Sequence, residues 1–149
     1  MMYMRYNMRS QIYAKSLPMP IVIGALKRLD MIRTMPELSE KLWSITNALQ
    51  SGLKNAGMSI GDSNSCLTPV YMKGGIPEAT NVIVDLRENH SIFCSIVIYP
   101  VIPKDVILLR LIPTAAHSIE DVNYTVERFK MVNEKLLAGA YKSETIATF

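Results

Sequence analysis

A single arginine interrupts an apolar, strand-like run near the C-terminal end of the sequence. Arg110 stands between Leu109 and Leu111 in a stretch of valine, isoleucine and leucine. Because side chains alternate along a strand, Arg110 shares one face with Leu108 and Ile112, while Leu109 and Leu111 point the other way. A buried guanidinium without a partner costs several kcal/mol. We therefore expect an anion to meet Arg110.

Two interpretations of that anion are open at this point. In the first, a structural carboxylate such as Asp105 or Glu120 pairs with Arg110 at the surface. In the second, the planar guanidinium binds the carboxylate of a substrate through two parallel hydrogen bonds, which arginine does better than lysine. The sequence pattern around Arg110 does not separate the two.

Other residue types that could do chemistry are sparse. Cys66 and Cys94 are isolated and form no CxxC pair, and only His90 and His117 accompany them. This spacing predicts neither a metal site nor a disulfide framework. Both cysteines are predicted to be small core residues in a reducing compartment.

The composition predicts a globular protein. Hydrophobic residues make up 49% of the 149 residues, which excludes the low hydrophobicity of disordered chains. The net charge of +3 is spread along the sequence without a block of like charges, so we expect no nucleic-acid partner. No apolar segment reaches the ~20 residues of a membrane span. Pro18 and Pro20 interrupt the apolar N-terminal run, and Lys27 and Arg28 follow it, so we read the chain as cytoplasmic rather than secreted.

The helices are predicted from apolar periodicity and capping patterns. The clearest helix covers 34–57, where apolar residues recur every three or four positions. Thr34 and Glu37 have the spacing of a capping box, and Gly57 marks the end. A preceding helix begins near Pro20, because proline is tolerated in the first helical turn.

Two further helices and three strands complete the order α-α-β-α-β-β-α. One helix opens at Pro77, and the last begins near Ser118, where Ser118 and Asp121 form a second capping pattern. Three strands are predicted, at Thr68 to Lys73, Ile92 to Tyr99 and Val106 to Ile112.

The order of elements predicts an α+β fold. A strand-helix-strand unit followed by a hairpin return is most simply satisfied when the third strand lies between the first two. The result is a three-stranded antiparallel sheet of order 1-3-2, with helices mainly on one face and Arg110 on the central strand. The other face is left with apolar side chains, so this module is expected to dock on something else.

Several motifs resemble the α-oxoamine synthases, the pyridoxal-phosphate enzymes that condense an amino acid with an acyl-CoA. The resemblance covers nearly the whole chain. It is carried by RSQIYAKSLPMP at 9–20, ELSEKLW at 37–43, DLREN at 85–89, IFCSIVIYPVIP at 92–103, and LLRLIPTAAH at 108–117 followed by the acidic helix start. The group includes enzymes similar to serine palmitoyltransferase, 2-amino-3-ketobutyrate CoA ligase and 8-amino-7-oxononanoate synthase.

The resemblance implies a role for individual residues. In that family the arginine of the R-x-x-x-T-A-A-H pattern binds the carboxylate of the amino-acid substrate, and Arg110 occupies its place, which favours the substrate interpretation. Ser16 matches a hydroxyl residue near the phosphate of the cofactor bound by the partner subunit. Ser91 and Asp105 stand where the family tends to have glycine. His117 belongs to the T-A-A-H signature and is expected to be structural.

The resemblance also implies what this chain lacks. The family's Schiff-base lysine lies upstream of the segment that matches, so no catalytic residue is assigned here, and the isolated chain is expected to bind no pyridoxal phosphate and to be inactive. The chain then corresponds to the small C-terminal domain of a fold-type I enzyme that acts on glycine, serine or alanine and an acyl-CoA. A homodimer or self-association is expected.

The sequence also predicts one domain boundary and leaves one alternative function open. Residues 1–33 are predicted to form an N-terminal segment with an interdomain helix, and 34–149 the α+β domain. The alternative function is a stand-alone, non-catalytic module that pairs with itself or another chain through its uncovered apolar surface.

Overall fold

The computed structural model describes residues 2–14 and 16–142. It divides into two compact units, the first ending at Pro36 and the second beginning at Glu37, and each is described by itself. Residues 143–149 of the predicted α+β domain lie outside the described residues. A domain boundary at 33/34 stays a prediction. None of the helices within the described ranges combines the length and apolarity needed to cross a bilayer.

The described residues of the first unit form three helices. Helices α1 (Met2–Asn7) and α2 (Arg9–Ile12) were not predicted, and α3 (Met19–Thr34) is the helix expected near Pro20. Pro20 lies in its first turn, where its missing N–H costs nothing. No residue that the structure describes in this unit is buried, so its apolar side chains face outward.

The second unit is built on a three-stranded antiparallel sheet. Strands β1 (Thr68–Lys73), β2 (Ser95–Val97) and β3 (Val106–Leu111) lie in the order β1-β3-β2, as predicted. Strand β2 is shorter than the predicted run of eight residues, while β1 matches its predicted bounds. The α+β fold with Arg110 on the central strand is therefore confirmed.

Helices α4 (Pro36–Asn55), α5 (Ile76–Val84) and α6 (Ile119–Leu137) accompany the sheet. Their apolar faces and the alternate residues of the strands form one core. Its largest fully buried side chains include Phe129, Leu53, Leu86, Ile107 and Leu109. Leu109 and Leu111 are buried and Arg110 is exposed, so the alternation predicted for this strand is confirmed.

The capping pattern at Ser118 is confirmed and the one at Thr34 is wrong. Ser118 Oγ accepts from the N–H of Asp121, and Asp121 Oδ2 accepts from the N–H of Ser118 at 2.8 Å. Thr34 is instead the last residue of α3, and its hydroxyl donates to the carbonyl of Asp30. The physical reason is Pro36, which disfavours helix at the residue before it and itself begins α4.

Helix α4 ends at a left-handed glycine. Gly57 has φ +80°. With this backbone conformation the Gly57 N–H donates a hydrogen bond to the Lys54 carbonyl, and the Met58 N–H donates one to the Leu53 carbonyl. This arrangement satisfies carbonyls at the helix end, as the sequence predicted. Helix α5 continues into a π-helical turn, Asp85–Asn89, that delivers the chain to Ser91 and β2.

Two residues that stand where the α-oxoamine synthases tend to have glycine adopt a backbone conformation that favours glycine. Ser91 has φ 53° and Asp105 has φ 63°, both in the left-handed region. Side chains with a Cβ are strained there, aspartate less than most. Ser91 precedes β2 and Asp105 directly precedes β3, so the backbone has a glycine-like conformation before each strand of the hairpin without a glycine there.

Candidate functional site

Strand β3 presents Arg110 on the exposed face of the sheet. Its Nε–H donates to Ser95 Oγ at 3.0 Å, and Ser95 is its directly opposite neighbour on β2. Within the described part of the chain, Arg110 has no carboxylate at ion-pair distance, and neither Asp105 nor Glu120 reaches it. The guanidinium is therefore open to an external anion at its Nη end.

The surroundings of Arg110 on this face are largely apolar. Pro69 is opposite Arg110 on β1, and the next row across the sheet holds Tyr71, Leu108 and Val97. Tyr71 is 43% exposed, and the other three are half-buried. An anion bound to the guanidinium here contacts water on one side and apolar side chains on the other. The partial exclusion of water strengthens the ionic hydrogen bonds.

His117 closes a turn at the end of this strand. The Nδ1 atom of its ring accepts a hydrogen bond from the backbone N–H of Thr114 at 2.9 Å, and the backbone N–H of His117 donates to the Thr114 carbonyl. With Nδ1 acting as an acceptor, the proton of the neutral ring sits on Nε2. This turn leads directly into the Ser118 cap of α6. The structural role of His117 stays a prediction.

A cavity of about 420 Å³ opens beside the same turn. The volume lies in the range of small-molecule sites. Its inner wall is apolar, with Leu49, Leu111 and Val122, and its rim carries His117 and Asp121. Leu111, which lines the cavity, and Arg110 are neighbouring residues of β3. Their side chains lie on opposite faces of the sheet.

A buried carboxylate cluster was missed by the sequence analysis. Asp85 is 8% exposed, and it accepts hydrogen bonds from Lys135 Nζ at 2.9 Å, from Asn89 Nδ2 at 2.7 Å and from the hydroxyl of Tyr141. Burial acts to raise the pKa of Asp85, but these donors outweigh it and lower the pKa to about 2. Burial, together with the hydrogen bond to Asp85, raises the pKa of Tyr141.

The cluster ties three segments together. Asp85 begins the π-helical turn, Lys135 is in the last turn of α6, and Tyr141 follows that helix. Asn81 donates to the Tyr141 carbonyl, so the tyrosine is held by both side chain and backbone. The imidazole of His90 lies 3.8 Å from Asp85. An acidic residue at the end of an apolar run and next to Leu86 was the available signal, but two of its three partners lie 50 and 56 positions away.

The remaining candidate residues are scattered. Ser16 is exposed in the first unit, and its single hydroxyl can supply one of the several hydrogen bonds that a phosphate group accepts. Cys94 is buried, which raises its pKa to about 11, whereas Cys66 is only half-buried and does not belong to the core. The described residues contain no group of three or more His, Cys, Asp or Glu side chains that could hold a metal ion.

Comparison with known proteins identifies relatives for nearly all of this chain. No family model matches it. It is 58% identical over 141 residues to a cysteate-C-fatty acyltransferase of Capnocytophaga ochracea, which covers 95% of this chain and 34% of the relative. It is 28% identical over 134 residues to an 8-amino-7-oxononanoate synthase of Alkaliphilus oremlandii, covering 90% of this chain and 33% of the relative.

Solved structures agree on the fold. A serine palmitoyltransferase of Sphingomonas wittichii superposes with a TM-score of 0.79 at 22% identity, over 93% of this chain and 34% of that one. The chain thus spans about a third of the length of the relatives it matches. Its antiparallel 1-3-2 sheet matches the C-terminal domain of these enzymes. By sequence and by fold, the relatives and structural neighbours of this chain are all enzymes of the pyridoxal-phosphate-dependent α-oxoamine synthase group.

Proposed function

We propose that this chain is the C-terminal part of an acyltransferase that condenses an α-amino acid with a fatty acyl-CoA. The 58% identity to a cysteate-C-fatty acyltransferase supports cysteate as the amino acid. Cysteate differs from the glycine, serine or alanine expected from the sequence. The relative is three times as long, so the complete activity requires residues beyond those matched here.

Arg110 is the residue of this chain that touches substrate in our proposal. The observation that supports this role is that Arg110 is exposed on the central strand, without a carboxylate partner among the described residues. Its Nη groups form the planar fork that receives an α-carboxylate through two parallel hydrogen bonds. The binding holds the amino acid in one orientation for acyl transfer.

The cofactor and the subunit arrangement belong to the same proposal. Pyridoxal phosphate, when bound, supplies the electron sink for chemistry at the α-carbon of the amino acid. The complete enzyme is proposed to be a cytoplasmic homodimer in which the Ser16 hydroxyl contacts the phosphate of the cofactor of the partner subunit. The exposure of Ser16 is compatible with that contact.

The test uses the longest polypeptide that is encoded in frame with this chain. We expect it to transfer a fatty acyl group from acyl-CoA to cysteate, with serine, glycine and alanine as comparison substrates. A reading frame that adds no segment with a Schiff-base lysine favours the alternative, a stand-alone interaction module, and contradicts the proposal.

Substitution of Arg110 tests its assigned role. Arg110→Gln is expected to lower kcat/KM for the amino acid by roughly 30- to 5,000-fold, as for loss of one partner from a buried ionic hydrogen bond of about 2–5 kcal/mol. The matched control is Arg87→Gln, which changes an exposed arginine of the same unit. In the 149-residue chain, Arg110→Ala should change the free energy of unfolding by no more than about 1 kcal/mol. A destabilised chain together with unchanged amino-acid use would support a structural arginine instead.

A further inference from the structure

The orientation of Arg110 is set by one neighbouring side chain. In the row of the sheet that contains Arg110, Pro69 lies on one side and Ser95 on the other. The proline side chain offers no hydrogen-bonding group, whereas Ser95 Oγ accepts from Arg110 Nε at 3.0 Å. Along β3, the residues on the same face are Leu108 and Ile112, which offer none either. Among these immediate neighbours, only Ser95 can fix the guanidinium by a hydrogen bond.

This hydrogen bond determines which edge of the guanidinium is free. A guanidinium can meet a carboxylate side-on, through Nε and one Nη, or end-on, through both Nη groups. Because Ser95 occupies Nε, the side-on edge is taken before any substrate arrives. The end-on edge remains, and both of its nitrogens are without a hydrogen-bond partner among the residues that the structure describes.

We propose that Ser95 is a positioning residue that orients Arg110 so that the amino-acid carboxylate binds end-on through the two Nη groups. The inference rests on the function proposed above and deepens it. An exposed arginine otherwise samples many rotamers, and binding must then order the side chain. A side chain already held by Ser95 loses less freedom on binding, so Ser95 lowers KM for the amino acid without touching the reacting atoms.

The hydrogen bond itself is tested on the 149-residue chain by nuclear magnetic resonance. The Nε–H signal of Arg110, assigned by its loss in Arg110→Lys, should shift and exchange faster with water in Ser95→Ala. Ser95→Thr keeps the hydroxyl and should preserve the parent signal, and Ser44→Ala, which removes an exposed hydroxyl from α4, should leave the signal unchanged. An Arg110 signal that does not respond to Ser95→Ala overturns the proposal.

The consequence for binding is tested kinetically on the complete polypeptide. Ser95→Ala should raise KM for the amino acid by about 2- to 12-fold, the change that corresponds to ordering one long side chain, with kcat within twofold. KM for acyl-CoA should not change, and Ser95→Thr should restore the parent value.

The substrate-binding role of Arg110 and the positioning role of Ser95 are tested separately. If Arg110→Gln leaves amino-acid use intact, the substrate-binding role proposed for Arg110 is wrong, and the positioning role of Ser95 is wrong with it. If Arg110→Gln impairs amino-acid use but Ser95→Ala matches the parent, only the positioning role is overturned. Equal losses in kcat and in acyl-CoA use for Ser95→Ala would show a general structural defect and also count against the positioning role.

Discussion

The buried carboxylate of Asp85 should make the second unit sensitive to acid in a defined pH window. Its pKa falls from an ordinary value of 3.8 to about 2, because hydrogen bonds from Tyr141, Lys135 and Asn89 outweigh the effect of burial. A lowered pKa in the folded state means that the carboxylate contributes stability above pH ~4. That contribution is lost as the pH falls from about 4 to about 2. At about 1.4 kcal/mol per tenfold change in proton affinity, it amounts to about 2–3 kcal/mol.

The measurement compares the parent with Asp85→Asn. Denaturant unfolding followed by circular dichroism and by the fluorescence of Trp43 gives the free energy of unfolding of each at several pH values. Asp85→Asn should be about 2–3 kcal/mol less stable at pH 7, and the difference should shrink towards zero near pH 2. Carboxylates that titrate in both proteins cancel in this comparison. A difference between the two proteins that is independent of pH would refute the reasoning.

Three other predictions address packing, backbone strain and association. Gly52→Ala should destabilise by about 1–3 kcal/mol, because a Cβ there lies 2.8 Å from a methyl carbon of Val126; in a Val126→Ala background the same change should be neutral or stabilising, and thermal melts of the two backgrounds decide the matter. Ser91→Gly should raise stability by up to about 1 kcal/mol and Asp105→Gly by less, since both sites have left-handed backbone; Ser44→Gly, in the middle of α4, should lose about 1 kcal/mol, and a loss at Ser91 equal to that of Ser44 would contradict the strain argument. The purified chain should self-associate through its exposed apolar surface, and sedimentation showing only monomer at tens of micromolar, roughly the range of weak interfaces, would count against it.

Much of the fold was predictable because it follows local rules. The β1 run ends at a glycine pair, and the caps at Ser118 and Gly57 depend on residues within one helical turn. The central position of β3 followed from how a hairpin can return to an existing strand. The error at Thr34 arose where two local rules compete, since a capping pattern overlaps a proline that starts the next helix.

The candidate site was predictable only in part. Arg110 stands out because a charge in an apolar strand is costly, and that signal is contained in its immediate neighbours. Its hydrogen bond to Ser95 depends on the register between two strands, which no local pattern specifies. Two of the three donors to Asp85, Lys135 and Tyr141, come from the far end of α6 and from the residues after it, so only the assembled fold brings them to Asp85.

The place of β3 in the sheet has a consequence for the order of folding. Ser95 and Arg110 are 15 positions apart within one hairpin, whereas β1 pairs with β3 across separations of up to 43 positions, between Thr68 and Leu111. Closing the shorter loop costs less chain entropy, so the β2–β3 hairpin can form before β1 joins it. In that order of folding, Arg110 forms its hydrogen bond to Ser95 within the hairpin. Strand β1 then joins the sheet after the Arg110 side chain has been oriented.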